Sequence, residues 1–256
     1  MDLASRLAGR RMLVTGASSG LGAHFATVAA RSGAHVVVAA RRKDRLDGLV
    51  EELTAAGAAS ALAVELDVTD DTSIETSLAE VFSAMGGVDV LVNNAGIATE
   101  GHAIDQSVSD FDNVMAVNLR GVWLMAVSVA RRWREQRVAG NVINIASILG
   151  ERVAAGVGPY AISKAGVVQM TKSLALEWAR HGIRVNAIAP GYFETEINAA
   201  FFESEAGQGM VKRIPMRRIG QMEELDGVFL LLATDASSFM TGAVIPVDGG
   251  HLVSSL

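Results

Sequence analysis

The strongest constraint on the fold of this chain is a series of short, mostly apolar runs separated by longer amphipathic stretches. The runs lie at residues 12–15, 35–40, 61–66, 88–92, 141–146, 184–189 and 243–247. Strands covered by helices on both faces of a sheet are apolar almost throughout, whereas half-exposed strands alternate. The pattern therefore predicts an α/β fold with a doubly wound, seven-stranded parallel sheet between two helical layers.

The stretches between the runs have helical spacing and several end at glycines. Helices are expected at residues 20–32, 42–56, 110–137 and 160–180. Gly33 and Gly57 are placed to end the first two, because glycine readily takes the left-handed conformation that follows a helix. A third helix, ending at Gly86, has two possible N-caps, Asp70 or Thr72, the latter with Glu75 in a capping box.

Composition narrows the class of protein. With 256 residues, half of them hydrophobic, and only 4 prolines, the chain is expected to form one domain over residues 1–256. A net charge of -6 disfavours binding to nucleic acid or an anionic membrane. The absence of cysteine excludes disulfides and thiolate chemistry and suits the cytoplasm. No uninterrupted apolar run approaches 18 residues, so no signal peptide or membrane span is expected.

A glycine-rich turn follows the first predicted strand and opens the first helix. Its residues are Gly16, Ser18, Ser19, Gly20, Leu21 and Gly22. Glycine lets the main chain approach a pyrophosphate, and the helix amino terminus offers exposed N–H donors. The turn predicts a dinucleotide site, although a tight strand-to-helix turn would also favour glycine.

The end of the second strand indicates which dinucleotide binds. Folds that bind NAD place an acidic residue there, whereas those that bind NADP offer a cation. Here Arg41 and Arg42 follow the strand, and Arg41 is able to bind a 2'-phosphate. We expect a preference for NADP(H), with NAD(H) possible; the alternative is a solvated basic start to the second helix.

Two further strand ends face the same edge of the predicted sheet. Asp67 and Val68 follow the third strand, where adenine would lie, although Asp67 could equally cap the next helix. The fourth strand runs into Asn94, Ala95 and Gly96, whose small side chains and amide suit structural support beneath the cofactor.

A candidate catalytic group lies at the start of the helix predicted over residues 160–180. Tyr160 and Lys164 are four residues apart and therefore share one helix face. A nearby ammonium would lower the pKa of the phenol towards the working pH and make Tyr160 a general acid and base. Ser147 ends the fifth strand at the same sheet edge, where its hydroxyl could hold a substrate oxygen.

Together these motifs resemble the short-chain dehydrogenase/reductase family, in its single-domain form. The resemblance rests on TGASSGLG at 15–22, NNAG at 93–96, Asn118, Ser147, Y-x3-K at 160–164 and Pro190-Gly191, and covers about residues 8 to 250. It implies a Rossmann-like sheet of order 3-2-1-4-5-6-7 and hydride transfer between a nicotinamide and a carbonyl/alcohol pair. It also implies a catalytic tetrad of Asn118, Ser147, Tyr160 and Lys164, without a metal.

The family resemblance implies further contacts. The implied cofactor-binding residues beyond those above are Pro190, Gly191, Phe193 and Thr195, with Tyr160 and Lys164 reaching the nicotinamide ribose. One departure is that Ser18-Ser19 stands where some NADP-preferring members carry a basic residue, which leaves Arg41, with Arg42 and Ser18, to select the phosphate.

The substrate is less constrained. Predicted pocket walls are Ile97, Ile148, Leu149 and Tyr192, with a lid over residues 192–214. Aromatic side chains in that stretch, including Phe193, Phe201 and Phe202, suggest a hydrophobic ketone, β-ketoester or secondary alcohol. Three acidic residues, Glu151, Glu194 and Glu196, disfavour an anionic substrate by charge repulsion.

Other readings stay open at this point. A basic cluster of Arg131, Arg132, Arg134 and Arg137 with Trp133 would suit an acyl-carrier protein, and hence a 3-oxoacyl thioester reductase, although such cations more often complement a helix dipole. A dinucleotide-binding regulatory protein or a methyltransferase is disfavoured by Tyr160 and Lys164. The five histidines lack metal-ligand spacing. By family analogy the long helices and residues 242–256 form homotetramer interfaces.

Overall fold

Parallel pairing along the whole sheet is the main feature of the computed structural model, which describes residues 2–194 and 202–254. The strands are β1 (Arg11–Thr15), β2 (His35–Ala40), β3 (Ser60–Glu65), β4 (Val90–Asn93), β5 (Gly140–Ile145), β6 (Ile183–Pro190) and β7 (Val244–Val247). They lie in the order β3-β2-β1-β4-β5-β6-β7 and every neighbouring pair is parallel. The predicted fold class and strand order are confirmed.

Helices cover both faces of this sheet. They are α1 (Gly20–Arg31), α2 (Lys43–Ala56), α3 (Asp71–Met85), α4 (Val108–Met115), α5 (Val122–Gln136), α6 (Gly158–Trp178), α7 (Glu205–Val211) and α8 (Asp226–Ala233). The bounds of the strands and of the first three helices differ from the predicted ones by no more than two residues, the usual variation at element ends.

The near-continuous hydrophobicity of the strands follows from two separate cores. In β1, Leu13 packs into a core with α3, α5 and α6, whereas Met12 and Val14 point to the other face. Successive strand side chains alternate between faces, so both kinds of position must be apolar. On the second face Phe25 of α1 and Phe229 of α8 stack with ring centroids 4.7 Å apart.

The helix ends decide between the alternatives that the sequence left open. The Asp70 carboxylate accepts a hydrogen bond from the Thr72 amide at 2.8 Å and caps α3, so Asp70 rather than Thr72 is the N-cap. Gly57 and Gly86 both adopt the left-handed conformation after α2 and α3, as predicted. These short terminations hold each crossover close to the sheet.

The long helix expected over 110–137 is interrupted. A π-helical turn, Ala116–Gly121, separates α4 from α5 and contains the buried Asn118. Such turns insert one extra residue into a helix and are frequent at functional sites. Periodicity alone gave no sign of this turn, because apolar residues continue on both sides of it.

The stretch Val108–Gln136 is, by length and composition, apolar enough to cross a membrane, with a mean hydropathy of 1.3. Half of that window is buried inside the protein, as in core helices of globular domains. A buried core helix passes the same test of length and composition, so this stretch does not contradict the expectation that the chain has no membrane span. Packing of α5 against the sheet accounts for the composition.

Trp133 belongs to this core and not to a basic surface cluster. Its side chain is fully buried, and its indole N–H donates to the Val88 carbonyl. A Cβ built on Gly140 would lie 2.2 Å from the Trp133 ring, so β5 can pass the indole only because residue 140 has no side chain.

Gly140→Ala is therefore expected to lower the free energy of unfolding by about 1–3 kcal/mol through overpacking. Gly48→Ala is the matched control, because Gly48 lies on the exposed side of α2 with open space around it, and alanine there should stabilise by about 0.5–1 kcal/mol. Urea unfolding of both variants measures the difference. Equal effects would show that the indole does not limit residue 140.

Candidate active site

The four predicted catalytic residues come together at the carboxyl edge of the sheet. Ser147 follows β5 and begins a 3-10 turn, its hydroxyl accepting a hydrogen bond from the Leu149 amide at 3.1 Å. Tyr160 and Lys164 lie in the first turns of α6, which has a proline in its first turn. Asn118 lies in the π-helical turn. Three separate elements thus converge on one site.

Tyr160 does not have the pKa expected from the sequence. Burial is the dominant cause and raises the pKa of its phenol, while a hydrogen bond with Ser147 acts in the opposite direction. The Lys164 ammonium lies 5.6 Å from the centre of the Tyr160 ring. The predicted lowering of the Tyr160 pKa by this cation is wrong, because burial and the nearby Tyr192 raise the pKa and Lys164 is not among the groups that lower it.

Lys164 is a buried cation of the site. It is 3% exposed, and its Nζ donates to the Ile145 carbonyl at 2.7 Å. Burial lowers the pKa of Lys164 to about 8, because an ammonium is poorly solvated there. The strand end of β5 therefore holds the lysine in place through its main chain.

Asn118 connects the π-helical turn to two other elements. Its side-chain amide accepts from the Ile97 N–H at 2.8 Å and donates to the Ile97 carbonyl at 2.8 Å. The same amide group donates to the Ser163 hydroxyl at 3.1 Å, which in turn donates to the Tyr160 carbonyl at 2.7 Å. Asn118 thereby fixes the loop after β4 against the first turn of α6.

Ser163 was missed by the sequence reasoning. It is fully buried and links Asn118 to the main chain of Tyr160. Its position three residues after Tyr160 places it on the same helix face, which is a signal that could have identified it.

The glycine-rich turn is shaped by contact with the loop after β4. Gly16 has φ +64°, and a Cβ there would lie 2.6 Å from the Ala95 Cα; one on Gly22 would lie 2.5 Å from the Asn94 side-chain nitrogen. The Asn94 amide donates to the carbonyls of Thr15 and Gly16, both at 3.1 Å. Asn94 ties the ends of β1 and β4 together, the structural role considered for it in the sequence.

The remaining floor residues lie beside the tetrad. A Cβ on Gly96 would lie 3.4 Å from Asn118 Oδ1 and 3.7 Å from Lys164 Nζ. The floor formed by Asn94, Ala95 and Gly96 therefore runs from the glycine-rich turn to Lys164.

Comparison with known proteins agrees with this geometry. The family model described as enoyl-(acyl carrier protein) reductase matches residues 16–251. The chain is 40% identical to the 3-oxoacyl-(acyl-carrier-protein) reductase of Thermotoga maritima over 97% of this chain and 100% of the relative. A solved short-chain type dehydrogenase/reductase from Mycobacterium marinum superposes with a TM-score of 0.91 at 38% identity, covering 96% of this chain and 97% of that one.

The chain belongs to the short-chain dehydrogenase/reductase family. It is an oxidoreductase, as its relatives are. A gluconate 5-dehydrogenase from Burkholderia cenocepacia, solved in complex with NADP and tartrate, is also similar, with a TM-score of 0.93 and 35% identity over 99% of this chain and 100% of that one.

The phosphate end of this dehydrogenase/reductase fits a dinucleotide. Ser19 makes no capping hydrogen bond at the start of α1, so the amides of Gly20, Leu21 and Gly22 lack a side-chain acceptor from the N-cap. A helix amino terminus in this state suits a pyrophosphate. Arg42 donates to the Ser18 hydroxyl at 2.9 Å, which brings a guanidinium to the turn, as considered for phosphate selection.

Asp67 and Val68 lie in the turn between β3 and α3, where the sequence allowed Asp67 to be either an adenine contact or a helix cap. The Asp67 carboxylate accepts from the amide and the hydroxyl of Thr69, at 2.9 and 2.7 Å, so it closes the turn before α3 and does not cap that helix. Burial raises the pKa of the Asp67 carboxylate, whereas the hydrogen bonds from Thr69 and the positive charge of Arg41 lower it. The net result is a lowered pKa. Val68 is buried against Gly121.

On the substrate side the strand end of β6 leads to Tyr192 and Phe193. Gly191 packs against Asp248, and its amide donates to the Val247 carbonyl at 2.9 Å, so the main chain still pairs with β7 immediately after β6. Phe193 is buried beneath Gly220 in the core with α1 and α8, so only its main chain could contact a cofactor. Thr195, Glu196 and Phe201 lie outside the described residues.

The predicted pocket walls surround this strand end. Ile148 is buried in the turn after Ser147, and Ile97 is held by Asn118. Tyr192 makes an edge-to-face contact with Phe202, their ring centroids 6.3 Å apart. Helix α7 lies within the predicted lid; whether that segment moves stays a prediction.

The basic side chains of α5 do not act as one cluster. Arg132 pairs with Glu75 at 2.8 Å and lies over the Phe82 ring, whereas Arg131 and Arg134 border a surface groove with Trp123. Among the described residues no three His, Cys, Asp or Glu side chains are grouped as metal ligands.

The lowered pKa of Lys164 predicts a pH-dependent stability difference. The buried ammonium destabilises the folded state fully below pH 8, and this penalty disappears as the pH rises to the unfolded pKa near 10.5. Lys164→Met removes the group, so its advantage in unfolding free energy over the parent protein should shrink by up to about 3 kcal/mol between pH 7.5 and 10.5.

Urea unfolding of both proteins at several pH values measures this difference, and groups common to both cancel. A difference that does not change with pH would show that the ammonium is not penalised by burial.

Proposed function

We propose that this protein is an NADP(H)-dependent carbonyl reductase and alcohol dehydrogenase. The observation that carries the proposal is the convergence of Ser147, Tyr160 and Lys164 at the sheet edge, with the buried Lys164 ammonium 5.6 Å from the centre of the Tyr160 ring. A small-molecule substrate is implied, not a nucleic acid or a membrane.

The residues of the site suit proton transfer to a carbonyl oxygen. When bound, NADPH would supply a hydride to the carbonyl carbon. Tyr160 would donate its proton to the developing alkoxide, and its raised pKa keeps it in the protonated form that this step requires. Ser147 would donate a hydrogen bond to the same oxygen, and Lys164 would stabilise the phenolate left behind.

Asn118 would position other residues of the site. Its side chain is already bonded to Ile97 and Ser163, so its role is to hold the π-helical turn and the floor of the site in register with Tyr160. In the direction of oxidation the same groups act in reverse, Tyr160 accepting the alcohol proton.

For the substrate we propose classes of compound and not a single molecule. Tyr192 and Phe202 support a hydrophobic ketone, β-ketoester or secondary alcohol, but Phe193 no longer contributes because it packs in the core. The similarity to a 3-oxoacyl-(acyl-carrier-protein) reductase favours a 3-oxoacyl thioester as second candidate, with Arg131 and Arg134 as the cations left to meet a carrier.

We also propose a homotetramer located in the cytoplasm. Exposed apolar side chains lie on the outer faces of α5 and α6, including Trp123 and Leu176, 44% and 84% exposed. Such a surface suits burial against another copy of the chain. The lack of cysteine agrees with a reducing compartment.

Tyr160→Phe removes the proton donor and retains the ring. It is expected to lower kcat for ketone reduction by about 100- to 10,000-fold, because general acid catalysis contributes on that order. NADPH affinity, measured by fluorescence titration, should stay within twofold and serves as the control. Turnover at the parent rate would contradict the assignment of Tyr160.

Arg41→Ala and Arg42→Ala test the selection of the 2'-phosphate. Each is expected to weaken NADPH binding by about 10- to 100-fold, the loss of a charge-assisted hydrogen bond, and to leave NADH binding unchanged. Arg45→Ala on the exposed side of α2 is the matched control. Equal Kd values for NADPH and NADH in the parent protein would contradict the proposed preference.

A further inference from the structure

Two arginines beside the catalytic group lack an acidic partner. Some other arginines are paired, as in Arg11 with Asp89 and Arg120 with Asp71. Arg152 and Arg213 form no ion pair with any carboxylate in residues 2–194 and 202–254. Their charges are therefore available to a ligand.

The turn after β5 places Arg152 at the site. Its amide donates to the Ile148 carbonyl at 2.9 Å, so it closes the turn that begins at Ser147. Its guanidinium donates from Nη1 to the His251 carbonyl and, at 3.1 Å, to the Ser254 hydroxyl. One edge of the guanidinium is thereby anchored to the C-terminal segment.

Arg213 follows α7, in a part of the chain that packs against the same C-terminal segment. The next residue, Ile214, is buried, and a Cβ on Gly249 would lie 3.0 Å from it. The Met216 amide donates to the Gly249 carbonyl at 3.2 Å. The main chain around Arg213 is thus held against the C-terminal segment, while its own side chain is exposed and has no hydrogen bond among the described residues.

Tyr192 and His251 pack against each other next to Arg152, which donates to the His251 carbonyl. Their rings are 5.5 Å apart, and the histidine is buried with its Nδ1 unpaired among the described residues. The charges of Arg152 and Arg213 act on both rings. Burial raises the pKa of Tyr192, and the two arginines lower it in part. Burial lowers the pKa of His251, and the two arginines lower it further. The phenol of Tyr192 in turn acts on Tyr160.

The acidic groups nearby offset only part of this positive charge: Asp248 opposes the two arginines at His251, whose pKa is nevertheless lowered by burial and by Arg152. The Asp248 carboxylate is engaged by the amides of Gly250 and Leu252, at 2.9 and 2.5 Å. Glu151 and Glu194 are exposed and form no ion pair within the described part of the chain. The charge repulsion expected from these glutamates is outweighed at Tyr192 by the two arginines.

We propose that Arg152 and Arg213, on either side of Tyr192 and His251, bind the carboxylate of a substrate whose carbonyl is reduced at Tyr160. This rests on the proposed function and narrows it to an oxo acid and the corresponding hydroxy acid. An exposed guanidinium and an anchored one together match the two oxygens of a carboxylate.

A carboxylate fits better than a phosphate of a carrier or coenzyme arm. The charges of both arginines act on Tyr192, and Tyr192 acts on Tyr160, so a ligand held by the arginines would be close enough to belong to the same small molecule as the carbonyl. The phosphates of a pantetheine arm lie many bonds from the reacting carbonyl and would reach past this point.

The test compares oxo acids with their methyl esters. The probes are 4-oxopentanoate and 5-oxohexanoate, each beside its ester, with NADPH oxidation followed at saturating cofactor. The parent enzyme should favour an acid over its ester in kcat/KM. Arg213→Gln should reduce that preference about 10-fold, mainly through KM, while ester turnover stays within twofold.

Matched variants separate charge recognition from structure. Lys212→Gln removes one exposed positive charge from the neighbouring residue and should leave the preference unchanged. Arg152→Lys keeps the charge and should retain most of the preference, whereas Arg152→Gln should lose it. Thermal unfolding of each variant detects any damage to the C-terminal segment.

Binding gives a second, independent measurement. Calorimetry of each acid and ester with the NADP-bound Tyr160→Phe variant reports the carboxylate contact without turnover. Ester turnover without any preference for the acid would overturn the carboxylate site and leave the proposed function intact. Absence of all turnover together with Arg213-dependent binding of the acid would overturn the proposed function and support the site. Acetoacetyl-CoA turnover that depends on Arg213 would overturn the assignment to a carboxylate.

Discussion

Burial of the central strands on both faces is the constraint on which the rest of the structure depends. Because helices cover both sides of the sheet, residues such as Leu13 and Val14 must be apolar, whichever face they point to. Reactive polar groups are then confined to the edge where the strands end. Thr15, Asn94 and Ser147 all follow or end a strand at that edge, which explains why one site gathers residues far apart in the sequence.

The site itself is organised by main-chain groups more than by charge pairs. Lys164 is held by the Ile145 carbonyl and Asn118 by both polar groups of Ile97. Carbonyl and amide groups carry no titrating charge, so the positions of these side chains do not change with pH. No carboxylate among the described residues forms an ion pair with Lys164, so burial lowers its pKa to about 8 without an opposing charge.

Much of the fold could be predicted from the sequence, because apolar runs and glycine punctuation are local signals. The strand order and the tetrad required the family resemblance, since neither periodicity nor spacing says which strands are neighbours. The π-helical turn at Asn118, the buried Ser163 and the core position of Phe193 were missed. Each depends on tertiary contacts: Asn118 bonds to Ile97, and Phe193 fills the space left by Gly220.

The charge environment was the least predictable part. Glu151 and Glu194 are prominent in the sequence, but both are exposed to solvent. Arg152 and the chain around Arg213 both contact the C-terminal segment, and nothing in the sequence predicts these contacts. The pKa of Tyr160 was likewise misjudged, because burial cannot be read from a Y-x3-K spacing.

The extra residue of the π-helical turn separates the position of Asn118 from the packing of the helices around it. Ahead of the turn Val114 faces inward, and after it Val122, Val129 and Trp133 do so. Val114 and Val122 are eight residues apart, which in a regular α-helix would turn them about 80° from each other, whereas seven residues would keep them on one face. Deleting one residue here would therefore restore a regular helix with the indole still in the core, and the loss would fall on Asn118 and its contacts with Ile97 and Ser163.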